Sequence, residues 1–149
     1  MVKPDLKQCN YIVQQTQVDY LQVYEPQNLN NLAELTVNTI IAYRMFDPYT
    51  TEPKLLDANM ILIDSYNKNS YGGSGVTFNW KTIPAAIPRD KLILAGGINP
   101  LNIEQALREV NPAVIDVASG AEQKPGIKDR NKIEQLVKAV RQVNMDKDN

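Results

Sequence analysis

The sequence has no histidine, one cysteine and a formal charge of −1 over 149 residues, and each scarcity closes off a class of function. Without histidine there is no Ser-His-Asp or Cys-His relay, and Cys9 alone cannot build a Cys/His zinc site. A single cysteine also forms no internal disulfide. The 16 basic and 17 acidic side chains nearly cancel and are scattered, so no basic stripe offers itself to nucleic acid or to an anionic membrane surface. No stretch approaches the roughly 20 apolar residues that span a bilayer, and the N-terminal MVKPDLKQ lacks the basic-then-apolar order of a secretory leader. A cytoplasmic protein is expected, with no cofactor or metal, whose acid–base chemistry rests on carboxylates or a thiol.

What is present is a rhythm of short apolar runs and amphipathic stretches within one domain, a length that buries roughly 70% of its unfolded surface. Asp5 to Gln15 places Leu6, Cys9, Ile12 and Val13 on one helical face, which makes Cys9 a core residue. Val18 to Val23, Thr39 to Met45, Met60 to Asp64, Lys91 to Gly97 and Ala113 to Gly120 read as strands, the last three as buried runs. Between them fall a short helix over Asn28 to Leu35, a Pro48 to Pro53 loop with a brief helical piece after it, and a glycine-rich loop from Ser65 to Gly75. A short helix over Phe78 to Ile83 follows, then a helix opened by Asn99 and Pro100 with Ile103, Ala106, Leu107 and Val110 inward. Asp129 caps a last helix that turns Ile133, Leu136, Val137 and Val140 inward, and residues 144–149 read as a frayed tail. Five strands separated by helices pair in parallel, as either a doubly wound sheet or part of a (β/α)8 barrel.

Three successive strands end in chemically distinctive residues: Asp64, then Gly96 and Gly97, then Asp116 with Ser119 and Gly120. In a barrel these ends converge on one mouth, where the loops after the last two strands commonly hold a phosphate. Glycine lets a phosphate approach backbone N–H groups closely, a following helix N-terminus adds a favourable dipole, and Ser119 adds a hydroxyl. A carboxylate at the end of an apolar strand is partly desolvated, which raises its pKa toward that of a general acid. The competing readings are that the glycines only turn the chain and that Asp64 caps or anchors a loop. GGSG at Gly72 to Gly75 matches neither the dinucleotide fingerprint nor the P-loop.

ILID (Ile61 to Asp64), GGSGVTFNW (Gly72 to Trp80), ILAGGINPLNIEQAL (Ile93 to Leu107) and IDVASGAEQKPGIKDRNKI (Ile115 to Ile133) together resemble phosphoribosylanthranilate isomerase of tryptophan biosynthesis. The likeness is strongest from about Asp57 to Arg141; upstream, VDYLQVYEPQ resembles the family's fourth strand but keeps only Gln22 of its signature, and IIAYRM resembles the fifth. The resemblance implies a partial TIM barrel of strands four to eight and an Amadori rearrangement of a phosphorylated sugar substrate. There an acid protonates the ribose ring oxygen so that a Schiff base forms, and a base removes the C2′ proton to give an enolamine. It implies that Asp64 is the acid, that Gly96, Gly97, Ala118, Ser119 and Gly120 hold phosphate, and that Asp116 lies in the substrate pocket.

The sequence also departs from the family. Ala118 replaces a family serine and Asn79 a family aspartate, and the Cys-Gly pair that ends the family's first strand and supplies the base has no counterpart. A (β/α)8 barrel seldom has fewer than about 200 residues, so the expectation is an N-terminally truncated homologue, inactive alone. Its open sheet edges, Val18 to Val23 and Ala113 to Ser119, would self-associate or take up a complementing N-terminal half-barrel. A non-catalytic phosphate-binding or assembly remnant is the alternative; another sugar-phosphate barrel enzyme, such as an epimerase, fits the phosphate loops but not the combined spacing.

Overall fold

The computed structural model describes residues 1–2, 4–24, 34–45, 58–65 and 78–147. Their elements run α1 (Leu6–Thr16), β1 (Tyr20–Tyr24), β2 (Asn38–Met45), β3 (Met60–Ser65), β4 (Leu92–Leu94), α2 (Ile103–Val110), β5 (Val114–Ile115), β6 (Glu122–Lys124), β7 (Ile127–Lys128) and α3 (Arg130–Lys147). The expected Asn28 to Leu35 helix, apart from its last two residues, the Pro48 to Pro53 loop with its helical piece, and the glycine-rich loop beyond Ser65 lie outside the described residues.

β1 to β5 form one parallel sheet in chain order, and β6 and β7 form a separate antiparallel hairpin. The central strands β2, β3 and β4 are apolar on both faces because both faces are packed. Ile41 packs with Leu21 and Val23 beneath Cys9 of α1, and Ile61, Ile63, Leu92 and Leu94 join the main core with α2 and α3. The intervening Ala42, Leu62 and Ile93 form a third cluster with Ala95. Side chains alternate faces along a strand, so this third cluster lies on the opposite face, and Arg44 and Asp64 near the ends of β2 and β3, with Asp116 just after β5, continue its rows toward the C-terminal ends of the strands. The pairing carries them into line: Arg44 stands opposite Asp64, and Ala95 and Asp116 donate their N–H groups to Ile63 O at 2.8 Å and Leu94 O at 2.9 Å.

α1 and α3 begin at capping carboxylates. Asp5 and Gln8 form a reciprocal capping box on α1, and the Asp129 carboxylate accepts the Lys132 N–H at 3.2 Å. α2 starts at Ile103 rather than directly after Pro100, because Asn99 and Asn102 spend their side chains on the loop before it. Among the described residues no helix is long and apolar enough to cross a membrane.

Five expectations need correction. The buried strand expected over Ala113 to Gly120 shrinks to Val114–Ile115, with Val114 43% exposed, because among the described strands β5 has a neighbour on one side only. A hairpin, β6–β7, stands between it and α3. The inward stripe of α3 is Leu136, Ala139 and Val143, which packs on α2; Ile133 and Val137 instead open onto a groove beside Ile115 and Val117. The tail is helical to Lys147, tied to α2 by the Arg108–Asp146 ion pair at 2.5 Å and by Lys147 to Asn111. Finally, the β1 edge is not bare, since Val2 bridges to Tyr24 and Tyr24 N–H donates to Met1 O at 2.7 Å.

Candidate functional site

At the C-terminal ends of β3, β4 and β5 the chain encloses a cleft of about 200 Å3. Asp64, Gly96, Gly97, Asp116, Ala118, Ser119 and Gly120, all singled out from the sequence, line it together with Tyr24, Ala95 and Ile98. The sequence spacing alone does not bring these residues together; the parallel register does, by ending adjacent strands at one level.

Asp64 is 4% exposed, and its Oδ1 has no hydrogen-bond partner among the described residues. Burial pushes its carboxyl above the usual range, against the lowering effect of a Ser65 N–H hydrogen bond; the Asp116 carboxylate raises it further, while Arg44 and the Tyr24 hydroxyl lower it. A carboxyl with these neighbours keeps its proton more readily than one in water, as a general acid requires.

Gly96 presses on this carboxyl. At φ +85° it occupies the left-handed region, and a Cβ built there would stand 2.3 Å from Ser65 N and 2.6 Å from Asp64 Oδ1. Only glycine fits between the two strand ends. Gly120 locks the second loop to the first in the same way, since its Cβ would meet Ile98 O at 1.8 Å. The two loops are therefore in backbone contact, and the second is followed directly by a single 3-10 turn, Ser119–Ala121, and the hairpin; the helix expected behind it comes only after β7.

Several contributors escaped the sequence reading. Tyr24 lies two residues beyond Gln22; its hydroxyl accepts from Gln22 Nε2 at 3.3 Å and hydrogen-bonds the Asp64 carboxyl. Burial, then the nearby Asp64 and Asp116 carboxylates, push the Tyr24 hydroxyl upward, so it stays protonated and donates. Arg44 stacks over the Tyr24 ring at 5.4 Å. The available signal was the two-residue alternation, which puts Gln22 and Tyr24 on one face of β1. Cys9, by contrast, is fully buried in the α1 cluster and remote in kind from the cleft; burial and Asp5 raise its thiol. Among the described residues no group of three histidine, cysteine or acidic side chains is placed to hold a metal.

The chain is similar, in sequence and in shape, to known phosphoribosylanthranilate isomerases. A family model described as N-(5'phosphoribosyl)anthranilate (PRA) isomerase matches residues 1–139. The N-(5'-phosphoribosyl)anthranilate isomerase of Leptospira borgpetersenii serovar Hardjo-bovis (strain JB197) is 45% identical over 103 residues, covering 68% of this chain and 47% of the relative. The chain thus spans about half the length of that curated relative. The crystal structure of phosphoribosyl anthranilate isomerase from Thermus thermophilus shares the fold at TM-score 0.75 and 24% identity, over 95% of this chain and 70% of that one. A phosphoribosyl anthranilate isomerase solved in complex with reduced 1-(o-carboxyphenylamino)-1-deoxyribulose 5-phosphate matches at TM-score 0.67 and 26% identity, over 95% and 69% of the two chains. The parallel sheet is accordingly the α/β, TIM-barrel-like fold of these enzymes, left open among the described residues. With a family model that takes in residues 1–139 of the 149, the chain belongs to the N-(5'-phosphoribosyl)anthranilate isomerase family.

Proposed function

We propose that the chain supplies the phosphate-holding and proton-donating part of the site for the Amadori rearrangement of N-(5'-phosphoribosyl)anthranilate, in the cytoplasm. The observation that carries the reading is the cleft itself, where a buried carboxyl with a raised pKa borders two interlocked glycine loops. The structural relative solved with a phosphorylated ribulose derivative supports the same substrate class. Gly96, Gly97, Ala118, Ser119 and Gly120 hold the phosphate through backbone N–H groups and the Ser119 hydroxyl. Asp116 borders the sugar. Protonated Asp64 gives its proton to the ribose ring oxygen as the C1′–O bond breaks and the nitrogen lone pair forms the Schiff base.

The second half of the reaction needs a base to take the C2′ proton. Cys9 does not fill that role, because its thiol is fully buried and held in the protonated form. In this reading the base comes from a segment outside these 149 residues, and the chain assayed alone does not turn over. The test is complementation with a separately expressed N-terminal segment of a family member that carries the Cys-Gly strand. Turnover should appear on mixing, and Asp64→Asn should reduce its kcat by about 10²-fold or more with the fold kept. Unchanged kcat would remove Asp64 from the mechanism. Phosphate binding that never yields turnover would favour a non-catalytic binding role.

A further inference from the structure

The two loops of the cleft share a device that their glycines do not explain. In each, a backbone carbonyl is drawn to one side by side-chain donors. Gly97 O accepts Nδ2 of Asn99 at 3.1 Å and Nδ2 of Asn102 at 3.0 Å. Ala118 O accepts Lys128 Nζ at 2.8 Å and the Ala121 N–H at 3.3 Å. A trans peptide sets its C=O and the following N–H on opposite sides. Drawing Ala118 O toward Lys128 therefore turns the Ser119 N–H the other way. A carbonyl oxygen facing the cleft would repel an anion, whereas an N–H facing it would hold one.

Lys128 is ten residues from Ala118, on the far strand of the hairpin, and does not line the cleft. Its ammonium is fixed from two directions, by Ala118 O and by Glu122 Oε1 at 3.1 Å. Lys132 Nζ in turn holds Glu122 O at 2.7 Å, so α3 steadies the hairpin without touching the loop carbonyl. We propose that Lys128 is a positioning residue of the phosphate cradle, which orients the Ala118–Ser119 peptide so that the Ser119 N–H faces the bound anion. Asn99 and Asn102 perform the neutral version of the same task on Gly97. The proposal rests on the phosphate reading of the cleft and adds to it a residue that acts on the anion through the backbone.

The 15N-labelled chain titrated with inorganic phosphate separates the two ideas. In the wild type the Gly96, Gly97, Ser119 and Gly120 amides should move. Lys128→Met should shift the Ser119 amide before phosphate is added and weaken phosphate binding by about tenfold, the worth of a charged hydrogen bond. Lys128→Arg, which keeps charge and donor, should restore most of that affinity, and Lys132→Met should leave it unchanged. If the methionine variant does not fold, Lys128→Gln tests the same carbonyl with a neutral donor and should weaken binding by a smaller factor. Wild-type shifts with undiminished affinity in the lysine variants would overturn the proposal and leave the phosphate reading intact. An equal loss from Lys132→Met would overturn it too, by reducing Lys128 to a hairpin staple. Still amides in the wild type would overturn the phosphate reading and the proposal together.

Discussion

Cys9 on α1 and Asp64 at the end of β3 are both buried, and burial raises the pKa of both, yet only Asp64 borders a cleft. The thiol is enclosed by Leu21, Val23, Leu35, Ile41 and Ala58, with Leu6, Ile12 and Val13 of its own helix around it. At 0% exposure the Cys9 thiol opens onto no solvent. The carboxyl sits where the sheet ends, between two loops that leave a cleft, with a hydroxyl, a guanidinium and a second carboxylate in its field. A raised pKa therefore marks desolvation inside an apolar core in one region and desolvation at the wall of a cleft in the other, and only the second carries the proposed acid role. Variants at the two places should diverge accordingly.

The largest effect is expected where the cleft depends on backbone contact. Gly120→Val forces a side chain onto Ile98 O, a backbone atom that cannot swing away, so the loops must part. Unfolding by urea should show a loss of about 3 kcal/mol or more, with phosphate binding abolished. Near-native stability would mean that the loops are not interlocked as described.

A smaller, pH-dependent effect is expected at Asp64 itself. Its folded pKa is raised, so the folded chain binds this proton more tightly than the unfolded chain does, and ionisation costs stability as pH rises through the folded pKa. Asp64→Asn should thus be more stable than the wild type at neutral pH. The advantage should shrink as pH falls through that raised pKa and vanish below the ordinary carboxylate range. Melting curves of both chains across this window give the answer; a difference that does not vary with pH would contradict the desolvated carboxyl.

The smallest effect belongs to Cys9. Cys9→Ala removes one buried sulfur and should cost about 1 kcal/mol, the ordinary cost of a modest core change. Phosphate affinity should not move. A large loss of affinity would connect α1 to the cleft in a way the packing does not show.

The contrast also explains what could be read from the sequence. Both faces of β3 and β4 are covered, so Met60 to Ile63 and Leu92 to Ala95 appear as unbroken apolar runs, and Gly96 and Gly97 after the second point to a loop of close approach. Cys9 was legible as core because helix spacing is local. β5 misled, since its apolar sequence looks buried while Val114 is exposed at an edge, and edge status is a property of neighbours. The hairpin was missed because EQKPGIK carries no two-residue alternation, although Gly126 at φ +79° supplies its turn. Tyr24 and Lys128 were missed for a related reason. Tyr24 meets Asp64 only through strand pairing, and Lys128 meets Ala118 only once the hairpin folds back.

The central claim is that an anion is held by the loop amides beside Asp64, and it is most directly tested by titrating the wild-type chain with ribulose 5-phosphate while following backbone amides and the Asp64 carboxyl carbon by NMR. The account predicts saturable movement of Gly96, Gly97, Ser119 and Gly120 and of the Asp64 carbon, with the amides of Leu6 to Thr16 around Cys9 unmoved. Movement confined to other residues, with the cleft amides still, would contradict it.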